Sequence, residues 1–181
     1  EQLGRLGRSG SRGQHTEEGE NWPGAPAELE PGSPLMDACR TLRVSLALPS
    51  VNTPIAPLLV ISLASDWNCA LVVAGLALAL AEEERRTVLV DANVRQPMLH
   101  SVFSLPRSPG FSESLDYPSD PPACFPVRDH LWLLSAGSSP RAASGLLSLP
   151  SAVQVTRRLA EQFDAVVYHT VYQASLPDAL L

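Results

Sequence analysis

Leu63-Ala64-Ser65-Asp66-Trp67-Asn68-Cys69-Ala70 stands where this sequence would be expected to do chemistry. It joins a short branched apolar run, Leu58–Ser62, to an apolar stretch, Cys69–Ala81. A second apolar run, Thr87–Asp91, follows and ends on a carboxylate. Strand, loop, helix, strand is the arrangement in which a glycine-rich loop wraps phosphate at a helix N-terminus. Such a loop reads G-x-x-x-x-G-K-[ST], with backbone amides around the phosphates, a lysine reaching the β/γ-phosphates and a hydroxyl on Mg²⁺. Here the shape is present and the phosphate chemistry is missing. All thirteen basic residues are arginine, so no lysine is available for the loop in any alignment.

Other reactive residue types are scattered. Cys69 sits at a helix start, where thiol pKa falls, but the sequence places no His or Asp beside it. Cys39, Cys69 and Cys124 are odd in number and lack metal-ligand spacing, which fits three reduced thiols. Asp91 and Arg95 suit either a nucleotide contact or a strand-end cap with a structural ion pair. His169 closes an apolar run beside Tyr168, a place where a lone histidine is ordinarily structural. Asn68 is a natural cap for a helix starting at Cys69. Trp67 either plugs the loop or offers an aromatic anchor to a partner.

The elements that would position these residues alternate. At 181 residues and a net charge of −6 the chain has room for one domain and lacks the basic balance of a nucleic-acid binder. Residues 1–34, rich in Gly, Ser, Pro, Arg and Glu, read as a disordered tail or linker, and 35–181 as the domain. Leu35–Leu48 reads as an amphipathic helix with Leu35, Cys39, Leu42 and Leu46 on its stripe. Asp37, Arg40 and Arg43 form a charged ladder on another side. Strands are expected at Leu58–Ser62, Thr87–Asp91, Leu131–Leu134 and Ala165–Tyr168. Helices are expected at Cys69–Ala81 and Pro150–Gln162, the latter with Val153, Val155, Leu159 and Phe163 inward, and short helical turns near Met98–Leu105 and Phe111–Leu115. Asp116–Asp129, with four prolines, reads as loop. Leu146 and Leu147 are expected to pack inward, and Leu176–Leu181 to begin a helix. The Cys69–Ala81 stretch falls short of the about 20 residues a bilayer span needs. Alternating strands and helices imply an α/β fold with a mostly parallel sheet covered on both faces.

From Leu35 onward the sequence resembles the bacterial tyrosine kinases (BY-kinases) of capsule and exopolysaccharide synthesis, relatives of the MinD/ParA-like P-loop ATPases. Asp37-Ala38-Cys39-Arg40-Thr41-Leu42-Arg43 looks like the family's E-x-x-R-x-x-R helix. Val88–Pro97 looks like its second Walker motif, L-I-D-a-D-x-R-x-P, and Phe163–Thr170 like its Walker B strand, f-D-x-v-i-i-D-t. Pro109-Gly110-Phe111-Ser112 and Leu131–Gly137 fall in the family's order. The departures lie at the chemical positions. Against the family's G-E-G-K-S loop, Asn68 replaces glycine, Cys69 replaces lysine and Ala70 replaces the Mg²⁺-ligating hydroxyl. Asp66 puts a negative charge where a triphosphate would sit. Asp91 is kept, the second aspartate is Asn93, and the Walker B aspartate is His169, a poor ligand for Mg²⁺.

The resemblance implies a P-loop architecture whose family cofactors, ATP and Mg²⁺, are not expected here. Asp91, Asn93 and His169 would be vestigial, as would the loop Asp66–Ala70 with Arg95. It implies a pseudokinase with a regulatory or scaffolding role, self-associating through Asp37, Arg40 and Arg43 and partnered by a membrane polysaccharide co-polymerase. Its place would be cytoplasmic, at the inner face of the plasma membrane, reached through that partner or a transmembrane segment outside this sequence. An active or weakly active ATP-dependent tyrosine autokinase of the same pathway and a degenerate MinD/ParA-like ATPase stay open as alternatives.

Overall fold

The computed structural model describes residues 26–46, 55–138 and 150–172. Among these residues five strands form one sheet: β1 (Leu58–Ser62), β2 (Thr87–Asp91), β3 (Phe125–Arg128), β4 (Leu131–Leu134) and β5 (Ala165–Val171). Their order is β1-β5-β2-β4-β3, parallel throughout except for β3, which runs antiparallel to β4 at one edge. The expected α/β class with a mostly parallel sheet is therefore observed.

Side chains of a strand alternate between faces, and this divides the core in two. Leu89, Leu131, Leu133 and Val167 meet α2 (Trp67–Ala81), with Met36 and Leu29 beyond it. Val88, Val90, Leu134, Val166 and Tyr168 meet α4 (Phe111–Asp116) and α5 (Pro150–Gln162). The short α3 (Leu99–Val102) closes the α2 side. Asp91 follows Leu89 by two residues, and His169 follows Val167 by two. Both side chains therefore lie on the α2 face.

The polarity of α2 explains its place. It is buried from Ala70 to Ala81 except at Val72, so it has no solvent stripe and must lie between the sheet and another helix. That helix is α1 (Pro34–Ser45), started by Pro34 and by the Ser33 hydroxyl, which accepts from the Met36 amide at 3.1 Å. At the crossing a Cβ on residue 75 would stand 2.7 Å from the Cys39 sulfur, so Gly75 allows the close approach. Fully burying one leucine or valine side chain is worth about 1.5–3 kcal/mol, so packing, more than helix propensity, holds α2.

Several expectations need correction. The buried face of α1 is Met36 and Cys39, whereas Leu42 and Leu46 are exposed; the helix ends at Ser45. The three-residue step from Met36 to Cys39 follows the surface of α2, and the Leu42/Leu46 stripe drifts off it. Residues 26–33, assigned to the tail by composition, form a 3-10 turn at Ala27–Leu29, and Leu29 is buried against α2. The expected loop Asp116–Asp129 contains β3, whose Pro126 is tolerated because the strand lies at the sheet edge beside a register irregularity. On α5, Val153 is exposed and Ala152 takes its inward position. β5 runs on to Val171, so His169 is a strand residue and not a strand exit. Leu146, Leu147 and the Leu176–Leu181 helix lie outside the described residues.

Candidate functional site

The C-terminal ends of β1, β2 and β5 meet the N-terminus of α2, which is where an open parallel sheet places its ligands. The Asp66 backbone is extended (φ −131°, ψ 168°), and its carboxylate accepts the Cys69 amide hydrogen at 2.8 Å. Asp66, and not the expected Asn68, is therefore the helix cap. The reason is positional: a cap's side chain reaches the amide three residues on, and Asp66 stands three before Cys69. Hydrogen bonds from Cys69, and more weakly from Asn68, hold the exposed Asp66 carboxyl below its ordinary range. An amide that faces phosphate in a functional loop of this kind thus already has an anion of the chain's own. Trp67 and Asn68 are exposed, Cys69 is half-buried, and the Ala70 methyl is fully buried in the core.

Asp91, Asn93 and His169 are all buried. Asp91 is fully buried; its Oδ1 accepts the Asn93 amide and its Oδ2 the Leu99 amide, each at 3.2 Å. It therefore caps the strand end and anchors the start of α3. Burial pushes its carboxyl up to about 7, against the lowering pull of those amides and of Arg107. The Asn93 side chain donates to the Gln96 carbonyl at 2.6 Å and to Ser65 Oγ at 3.2 Å. It ties the loop after β2 to the loop before α2. Arg95 is exposed on that loop. His169 pairs in register with Asp91, and its Nε2 lies 3.1 Å from Ser62 Oγ. Burial lowers its pKa to about 4, so the imidazole is neutral at neutral pH, and its Nδ1 has no hydrogen-bond partner.

The charged ladder of α1 points back into its own chain. Arg40 grips both oxygens of Glu82, at 2.8 and 2.7 Å, and reaches Asp37 at 2.8 Å. Arg43 pairs with Glu83. The two arginines clamp α1 to the turn that follows α2. The Arg40 hydrogen bonds hold the Glu82 carboxyl below its ordinary range.

Sequence reasoning missed Glu113. Its carboxylate accepts from the backbone amides of Gly110 and Ser138, each at 2.8 Å, and from the hydroxyls of Ser108, Ser112 and Ser138. Burial alone would raise its pKa, but these donors outweigh burial and hold it at about 2. Glu113 thereby joins the start of α4 to the loop leaving β4. The signal was present as a capping pattern, Gly110 followed three residues on by Glu113. Among the described residues no group of three or more His, Cys, Asp or Glu could hold a metal ion.

A mostly parallel sheet, with a helix rising from the loop after β1 and a carboxylate closing β2, defines a P-loop-type α/β domain. No protein-family model matches the chain. It is 24% identical to the tyrosine-protein kinase YwqD of Bacillus subtilis over 155 residues, covering 84% of this chain and 65% of that one. It is 29% identical to the tyrosine-protein kinase ptk of Acinetobacter johnsonii over 108 residues, which span 59% of this chain and 15% of that protein. Among solved structures, the chimerical protein CapA2B2 aligns with a TM-score of 0.69 at 24% identity, covering 83% of this chain and 67% of that one. The kinase domain of the Escherichia coli tyrosine kinase ETK aligns with a TM-score of 0.68 at 22% identity, covering 80% of this chain and 57% of that one. The relatives are thus bacterial tyrosine kinases, of which the chain spans less than two thirds of the length, and the solved kinase structures share its fold.

Proposed function

We propose that this chain is a catalytically impaired, pseudokinase-type domain with a regulatory or scaffolding role in exopolysaccharide or capsule assembly. The observation that carries the reading is the Asp66 carboxylate on the Cys69 amide. Phosphoryl transfer depends on positioning and on neutralising phosphate charge, and this loop presents a negative charge instead. The residues do not fit ATP and Mg²⁺. No lysine exists in the sequence, Ala70 offers a buried methyl where a Mg²⁺ ligand belongs, and both Asp91 oxygens accept backbone amides. A neutral His169 stands where the family's Walker B carboxylate would be. Losing one electrostatic group of this kind costs about 10²–10³ in rate. The losses here are several, and even with non-additivity they leave negligible turnover.

What is kept is the frame. Asn93 and Ser65 hold the former nucleotide loops together without a ligand, which suits a domain used for its surface. The resemblance to BY-kinases supplies the setting, a cytoplasmic place beside a membrane polysaccharide co-polymerase. No helix among the described residues is long and apolar enough to cross a membrane. The test is incubation of the purified chain with Mg-ATP, followed by a phosphotyrosine blot. The expected result is no phosphotyrosine above a zero-time control. Phosphotyrosine that disappears in Asp91→Asn overturns the reading in favour of a working autokinase.

A further inference from the structure

Ser62, His169 and Asp91 stand near the carboxyl ends of β1, β5 and β2, three neighbouring strands of the sheet. Each shares the α2 face. Ser62 follows Val60 by two residues, His169 follows Val167 and Asp91 follows Leu89, and those three pack in the α2 layer. Ser62 Oγ and His169 Nε2 are 3.1 Å apart, within hydrogen-bond reach. The serine is held on a fixed strand, since its carbonyl accepts the Tyr172 amide at 2.7 Å. His169 is a costly residue to keep here. It is 3% exposed and its Nδ1 has no hydrogen-bond partner, a lack that lowers stability and that an aliphatic side chain would avoid. Asp91 pairs in register with it, but both Asp91 oxygens are taken by amides. A buried polar group left unpaired in this way calls for a role beyond packing.

A serine hydroxyl against a neutral imidazole is the contact of a nucleophile with its general base. The geometry points to a chemistry separate from phosphoryl transfer: Ser62 is an acyl-accepting nucleophile, His169 its general base, and the substrate a carboxylic ester with a good leaving group. Burial keeps the imidazole neutral at neutral pH, and with the ring hydrogen on Nδ1 the Nε2 lone pair accepts the serine proton. Ser62 Oγ bonds to the ester carbonyl carbon as that proton passes to Nε2. The bond from that carbon to the alcohol oxygen breaks, and the departing alcohol takes the proton. Water then adds to the acyl-serine, one of its protons returns through Nε2 to Ser62 Oγ, and the carboxylic acid departs. Because no carboxylate orients Nδ1, the pair lacks a contribution of about 10⁴ in rate that a complete triad has. Asp66 also occupies the Cys69 amide, one of the α2 donors an oxyanion would use. The reaction is therefore confined to activated esters.

Fluorophosphonate labelling of the full 181-residue chain tests this, since such a probe bonds its phosphorus to an activated serine oxygen and releases fluoride. Intact mass and peptide mapping are expected to show one adduct, on Ser62, absent from Ser62→Ala. His169→Gln should slow labelling by about 10²-fold, with circular dichroism showing that the variant remains folded. The labelled chain should also lose its hydrolysis of p-nitrophenyl acetate. No adduct, an adduct on another serine, or a Ser62 adduct that forms as fast in His169→Gln overturns the proposal. Labelling of Ser62 that persists in heat-unfolded wild type overturns it as well, whatever the fold of the variants. None of these results bears on phosphotyrosine formation, so this proposal and the pseudokinase reading fail separately.

Discussion

Asp91 and His169 lie side by side on neighbouring strands with pKa values moved in opposite directions, and their effects on stability should oppose. Burial raises the Asp91 carboxyl from 3.8 to about 7, so the folded chain holds this proton more tightly than the unfolded chain. Its contribution to stability is full below pH 4 and is lost as pH rises through 7. Burial lowers His169 from 6.5 to about 4. Its contribution is present above pH 6.5 and is lost as pH falls toward 4. One fully linked proton changes stability by about 1.4 kcal/mol per pH unit, so between pH 5 and 6.5 each group is worth about 2 kcal/mol, with opposite sign. His100, also lowered by burial, adds in the same sense as His169. The measured quantity is therefore the change in slope on substitution. Urea unfolding followed by circular dichroism across that window should show Asp91→Asn gaining about 2 kcal/mol more than the wild type as pH rises. His169→Gln should change the slope by a similar amount in the opposite direction. An overall loss of stability in either variant leaves the slopes readable. An Asp91→Asn slope equal to that of the wild type would refute the argument that this carboxyl is protonated by burial.

Two further substitutions probe the loops. Asp66→Ala should lower Tm, Asp66→Asn should largely preserve it because asparagine also caps helices, and Asn68→Ala should leave it unchanged; thermal melts distinguish these outcomes. Gly110→Ala would bring a Cβ within 2.2 Å of the Ser135 carbonyl oxygen and 2.4 Å of the Gly137 amide. The colliding atoms are backbone and cannot rotate away, so chemical denaturation should report a loss of about 3 kcal/mol.

Much of the sheet was legible because its strands are short runs of branched apolar residues ended by polar ones. β2 and β4 have that form, and α5 announces itself by periodicity. β3 was not legible, because its Pro126 argues against a strand unless its edge position is already known. The α1 stripe was misplaced for a related reason. Periodicity identifies an apolar face, but only the partner decides which turn is covered, and here Gly75 draws α2 close at Cys39. At the site, residue types showed where the loop departs from G-x-x-x-x-G-K-[ST]. What occupies its place depended on a backbone angle at Asp66 and on the register of Asp91 with His169, which a linear pattern does not carry. The α1 charges were visible in sequence, but their partners Glu82 and Glu83 lie about forty residues away and meet them only after folding.

The proposal that this fold presents no phosphate site is tested by calorimetric titration of Mg-ATP into the purified chain. With the Cys69 amide held by Asp66 and both Asp91 oxygens accepting amides, the predicted outcome is no binding isotherm at millimolar nucleotide. A micromolar Kd that weakens at least tenfold in Asp91→Asn would contradict the account.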